Sequence, residues 1–197
     1  MSLLRSAPLF FLLTACGGGG EPAEVAPPQP TRTEVVERLE TRIVRVPVSD
    51  PQELPTEGRA FYEGFMRANL PTGPNGERSD YIGDLTMDVN FAAARDEIAG
   101  QATGFQTGGG DRLRGRLDIA GGDIYRDTVV RDNYTFTGDV DGTLRRGEDR
   151  YVVDAGIEGE FRGKDREAVS GLLFGDVEGP LGQDIFDGSF AAEKREE

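Results

Sequence analysis

Histidine and tryptophan are missing from these 197 residues, and cysteine occurs once. Without an imidazole there is no Ser-His-Asp triad, no histidine general base and no His-ligated metal centre. Without Trp there is no indole platform on which a sugar ring would stack, so none of the many acidic residues stands out as a glycosidase pair. Positive charge is also in short supply: 22 Lys and Arg face 36 Asp and Glu, a formal net charge of −14. That balance argues against nucleic acid, whose binders replace phosphate counterions with Lys and Arg. It argues equally against a polybasic attachment to anionic lipid. It suits a solvated surface or a basic partner. Long apolar runs are scarce too, the clearest being Ala7–Leu13, well short of the roughly 20 residues that span a bilayer as a helix. With most catalytic constellations excluded, the chain is expected not to be an enzyme and to need no resident cofactor. Its length fits one domain with a tail.

The lone cysteine has a context. Arg5 supplies a small basic start, Ala7–Leu13 an apolar core, and Thr14-Ala15 small residues before Cys16, the three parts of an export leader. The segment resembles a bacterial lipoprotein signal peptide, with Leu13-Thr14-Ala15-Cys16 as its lipobox. The resemblance implies removal of residues 1–15 and acylation of Cys16, which consumes the thiol as an anchor and excludes thiolate chemistry. More than one acyl chain is what stable anchoring needs. Gly17 rather than Asp follows the cysteine, which under the enteric sorting rule implies the outer membrane. Residues 16–30 are Gly, Pro, Ala and Glu with little else, a composition unable to bury a core. They read as a tether.

Residues 31–56 form a second unit. Val35, Val36, Leu39 and Ile43 recur at helical spacing, Thr33 is placed to cap the first turn, and Pro47 ends the pattern. Ile43–Val48 suits a strand as well. From residue 57 to 197 the period becomes two. Leu85, Met87, Val89 and Phe91 alternate with polar residues; so do Leu113, Gly115, Leu117 and Ile119, then Tyr134, Phe136, Gly138, Val140 and Leu144, then Tyr151 to Phe161. Weaker runs occupy 58–69, 96–106, 167–175 and 185–193, which makes eight strands. Turn signals lie at Pro71–Gly76, Gly108–Asp111, Gly121–Asp123, Arg146–Glu148 and Arg162–Lys164. Eight short sequential strands with one apolar face each fit an all-β, eight-stranded antiparallel up-and-down barrel or a two-sheet sandwich. Glycines at in-facing positions (Gly64, Gly100, Gly115, Gly138, Gly159, Gly171, Gly188) favour the barrel, whose interior needs small residues beside large ones.

No motif carries chemistry. The glycine runs lack the strand–loop–helix setting and the Lys-Ser/Thr of a phosphate loop. Asp139 and Asp141 are explained by strand alternation without invoking calcium, and Arg112, Arg114 and Arg116 read as one solvated strand face. The loops are the places to look for binding: Pro71 and Asn75 in the first, Gly109 and Asp111 in the second, Asp176 and Pro180 in the last.

The last strands carry a family resemblance. In residues 168–194, Gly171, Phe174 and Gly175 lead into Gly179-Pro180 and then Gly188-Ser189-Phe190-Ala191-Ala192; with the opening Gly58–Gly64 and Leu85–Phe91, this resembles the barrel of the transferrin-binding protein B type lipoproteins. The resemblance covers 57–194 and departs from the family at Asp176-Val177-Glu178. It implies a surface-displayed, non-enzymatic lipoprotein that holds a host protein, a nutrient carrier for iron or haem, or another solute, often beside a TonB-dependent receptor. Two-lobed members bind transferrin; one barrel with at most a short handle implies a different partner. Any haem ligand here would have to be Tyr or Met. The alternative from the same architecture is a lipocalin-like carrier with a small ligand inside the barrel.

Overall fold

The computed structural model describes residues 29–92, 97–127 and 134–196. The leader, Cys16 and the tether up to residue 28 lie outside the described residues. Among those described, the period-two runs become eight strands: β1 (Arg59–Leu70), β2 (Ser79–Asn90), β3 (Ile98–Gln106), β4 (Arg114–Ile124), β5 (Phe136–Arg146), β6 (Asp149–Arg162), β7 (Ala168–Gly179) and β8 (Gly182–Lys194). Each pairs antiparallel with its successor, and β8 returns to β1, so a single sheet closes in sequence order. The expected up-and-down barrel is the fold observed, and the sandwich is not. Closure leaves no unpaired edge to template another chain. The connections β1–β2, β3–β4, β5–β6 and β7–β8 gather at one end, called upper here; the others lie at the lower end.

The interior is built by pairing glycines with rings. Phe136 packs against Phe161 and Phe190 with centroid separations of 5.1 and 6.0 Å, and Phe91 and Tyr62 approach Phe161 at 5.4 and 6.4 Å. These tilted arrangements are the favourable ones for aromatic quadrupoles. A Cβ on Gly159 would stand 2.3 Å from the Phe136 ring and 2.7 Å from that of Phe190; one on Gly171 would stand 2.6 Å from Phe190. Near the other end Gly83 makes the same allowance for Phe105. Gly115 has a different reason, a φ of 113° that a side chain would oppose.

Two expectations, one of a turn and one of a wet face, are corrected by the structure. Gly121-Gly122 lies within β4, where the pairing with β5 shifts between Ala120 and Asp123; the positive φ of Gly121 makes it a β-bulge rather than a turn. Thr135, expected on the wet face, is fully buried. Its hydroxyl donates to the Gly159 carbonyl at 3.2 Å and accepts from the Phe161 amide, which satisfies it without solvent.

Residues 31–56 form a short handle on the barrel. Helix α1 (Arg32–Val44) is capped by Thr31, not Thr33. Glu34 stands three residues after Thr31, so the Thr31 hydroxyl accepts from the Glu34 amide while the Glu34 carboxylate accepts from the Thr31 amide at 2.7 Å; Val36, three after Thr33, has no carboxylate to return that bond. Leu39 and Ile43 pack on Ala168, Ala191 and Phe65, whereas Val35 is left partly exposed. The strand alternative for Ile43–Val48 survives as a single bridge from Val48 to Arg162. Beyond it the chain closes the lower end: Ser49 bonds Phe161 and Gly163, and Leu54 joins the core. Arg126 donates to the carbonyls of Pro55 (3.1 Å) and Phe91 (2.7 Å), with Glu97 beside it at 3.5 Å. The buried Glu97 carboxylate accepts the Ile124 amide at 2.6 Å.

Overpacking the lumen is predicted to be costly: Gly159→Ala should lower unfolding free energy by about 1–3 kcal/mol, read as a reduced urea midpoint with unchanged slope. A second prediction concerns pH. Hydrogen bonds from Thr31 hold the Glu34 carboxyl below its ordinary 4.5, so the cap contributes fully above that value and is lost as the pH falls below it. Protection of the first-turn amides of α1, taken relative to the intrinsic exchange rate at each pH, should fall in that window in wild type and stay flat across it in Glu34→Gln.

Candidate functional site

Strand connectivity brings most of the sequence-nominated residues together. Pro71, Asn75, Gly109, Asp111 and Pro180 all fall in upper-end connections. The exception is Asp176. Val177 is fully buried between Asp176 and Glu178, so the strand period runs on to Gly179 and the expected loop 176–182 shrinks to a tight turn at Pro180-Leu181. Asp176 sits in β7 opposite Ile185.

Arginines knit the upper end. Arg146 donates to the Thr72 carbonyl at 2.7 Å and to Asp111 at 2.9 Å, tying the first loop to the second. Arg78 reaches the carbonyls of Asn69 and Ile185 and the Asp187 carboxylate at 2.6 Å. Beneath them the Thr72 and Tyr81 hydroxyls share a buried hydrogen bond of 2.9 Å. The result is a cross-braced cap with exposed tips, able to offer backbone and loop surface but no convergent acid, base or nucleophile.

Among the described residues the lumen offers no chamber. Met66, Phe105, Leu117, Phe136, Val140, Ile157 and Phe186 each have no accessible surface, a state incompatible with lining a ligand-sized void. The Tyr62 phenol is pushed up by burial and donates to the Arg166 carbonyl at 3.0 Å, so it serves the wall. A groove of 540 Å³ lies outside the lower end, lined by Arg59, Phe61, Asp165, Glu167, Lys194 and Arg195. Its arginines are committed within the chain, Arg59 to Asp88 and Arg195 to Glu63.

The outer wall holds what residue patterns alone missed. Cross-strand register sets Asp118 opposite Asp141, Asp141 opposite Asp154, and Asp154 opposite Asp176. Four like charges thus stand in one row across β4–β7. Two rows nearer the upper end, Arg114, Arg145 and Arg150 stand in a second like-charged row. Among the described residues, Asp118 is paired with Arg116 at 3.0 Å, and Asp141, Asp154 and Asp176 have no ion-pair partner. Beside the acidic row the β7–β8 hairpin exposes Leu172 (49%), Phe174 (56%), Leu181 (72%) and Ile185 (63%). No group of three acidic side chains among the described residues converges as metal ligands would.

Around β1, β2 and β8 the same kinds of residue are satisfied. Arg32 pairs with Asp84 at 2.9 Å, Arg42 with Glu193 at 2.8 Å and Arg67 with Glu40 at 2.6 Å. The hydrogen bonds that Arg67 donates to the Glu40 carboxylate push its guanidinium up. Arg32 also lies over the Phe65 ring at 5.4 Å. Helix α1 covers this side; no described element covers the other.

Like charges directly opposite each other destabilise a sheet. Asp154→Asn should therefore raise stability by about 0.2–1 kcal/mol, with the gain shrinking as salt screens the row; calorimetry at low and high ionic strength tests both.

No family model matches the chain, and no curated protein matches it. Among solved structures the chain is similar to a vaccine-antigen transferrin binding protein B mutant from Haemophilus parasuis Hp5, with 15% identity and a TM-score of 0.48 over 76% of this chain. The matched region spans 29% of that protein.

Proposed function

We propose that this protein is a lipid-anchored envelope protein, held through acylated Cys16 at the outer membrane and displayed at the surface, whose barrel is a non-enzymatic scaffold for binding a protein partner. The observation that carries the binding mode is the filled lumen: with Met66, Phe136 and Phe186 sealed from solvent, recognition falls to the outer wall and the loops. The same sealing of these residues speaks against a lipocalin-like ligand inside the barrel. In its finer form, which rests on the resemblance of residues 57–194 to the transferrin-binding protein B type lipoproteins, the partner is a nutrient carrier for iron or haem, and a TonB-dependent receptor works alongside.

The handle gives this scaffold an orientation. A Cβ on Gly108 would come within 3.4 Å of the Thr33 hydroxyl, so α1 begins beside the β3–β4 connection at the upper end. The chain leading back to Cys16 departs from there. The fourteen residues from Gly17 to Pro30 bound the distance to the anchor at about 50 Å by covalent geometry. An anchored molecule would hold its upper loops toward the bilayer and its flanks toward the medium.

The anchor has a direct test. Metabolic labelling with palmitate should mark the wild-type protein, and Cys16→Ala should abolish both the label and sedimentation with membranes. Unlabelled wild type, or a Cys16→Ala protein that still partitions into membranes, would overturn the anchoring.

A further inference from the structure

We infer that the part of the β5–β8 outer wall left free by α1, toward the upper β7–β8 turn, docks an amphipathic helix of a partner protein, one that sets Lys or Arg beside a stripe of Leu-like side chains. This rests on the proposal that the barrel is a scaffold for a protein partner, and it names the face and the chemistry. The docking surface is the apolar stripe. Phe174 lies opposite Asp187 and Ile185 opposite Asp176, which makes Phe174 and Ile185 diagonal neighbours about 7 Å apart. Leu172 continues the stripe two residues along β7, and Leu181 ends it at the turn. Four large apolar side chains left in water on one hairpin mark a contact surface.

Charge decides the occupant. Asp141, Asp154 and Asp176 flank the stripe in an unneutralised row, whereas Asp184 and Asp187 on its other side are held by Arg78 at 3.4 and 2.6 Å. The missing cations therefore belong on one side of an apolar centre. The covered side of the same barrel shows what such a wall accepts. There α1 lays Leu39 and Ile43 on Ala191 and Ala168 and reaches down with Arg32 and Arg42 to Asp84 and Glu193.

Other occupants fit less well. A strand cannot add, because every strand of the closed sheet is already paired on both sides. The Gly17–Pro30 segment has two acidic residues, Glu21 and Glu24, and no cation. A second copy brings the same net charge of −14, and its α1 already has Val36, Leu39 and Ile43 buried against its own barrel.

The test uses the chain from Gly17 onward, which retains every described element and carries no anchor, so its outcome is independent of palmitate labelling. The probe is a synthetic Leu/Lys amphipathic helix of about 18 residues, compared with a scrambled peptide of the same composition and with a Leu/Glu version. Amide shifts in the nitrogen-15 labelled protein should be confined to β5–β8 and should require the helical Lys arrangement. Affinity should fall about tenfold or more in Asp141→Asn/Asp154→Asn/Asp176→Asn and in Phe174→Ser/Ile185→Ser. It should hold within about twofold in Glu53→Gln/Glu57→Gln/Glu196→Gln, which removes equal charge at the lower end. Because losing the acidic row relieves repulsion, the triple Asn variant should melt no lower than wild type, so weaker binding there is not a folding defect. Shifts spread over the whole acidic surface, equal binding of the scrambled peptide, or unchanged affinity in both face variants would overturn the inference. So would a dimer in light scattering that Phe174→Ser/Ile185→Ser dissolves, since the occupant would then be a second copy.

Discussion

The whole molecule depends on one steric bargain inside the lumen. Phe136, Phe161 and Phe190 share the barrel axis only because Gly159 and Gly171 leave out the atoms that would meet their rings. Eight strands enclose space that side chains can just fill, and here rings from β5, β6 and β8 fill it against bare backbone. Everything functional follows from that. A full interior turns the protein into a solid cylinder whose chemistry is all on the outside, and a closed sheet removes the edges by which strands usually recruit partners.

Two halves of that cylinder are finished differently. Around β1, β2 and the lower part of β8, carboxylates meet arginines and α1 shelters Ala168, Ala191 and Phe65. Across β4–β7 carboxylates meet each other. Such a row works against folding, and beside it Phe174 and Ile185 are left wet. Negative potential accumulated on one flank also speeds encounter with anything basic before contact is made.

Much of the fold was legible in residue order, and the reasons for the gaps are local. The alternation in Leu85–Phe91 and Tyr151–Phe161 states which side of the sheet is dry, and no competing pattern opposes it. Thr135 broke the alternation because a hydroxyl can turn inward when carbonyl and amide partners wait for it. Gly121-Gly122 has the composition of a turn, and only pairing distinguishes a bulge from one. The candidate loops were legible as loops and as neighbours once connectivity was known, except Asp176, whose polarity outweighed the buried Val177 beside it. The acidic row was not legible at all. Asp141 meets Asp154 because Gly147-Glu148 is a two-residue turn that pairs Arg146 with Asp149, and Asp176 meets Asp154 because Arg162 pairs with Ala168. Register is a property of connections, and a scan of single strands does not contain it.

The seam between β1 and β8 sets the order of assembly. Seven of the eight pairings join neighbours in sequence and can form as local hairpins. The eighth brings Tyr62 opposite Lys194, across nearly the entire domain, and must wait for the final strand to be made. Until the ribosome has released that strand, the partly built sheet is an open, sticky crescent with its rings uncovered. A sheet that cannot close before β8 exists keeps the chain threadable until that strand appears.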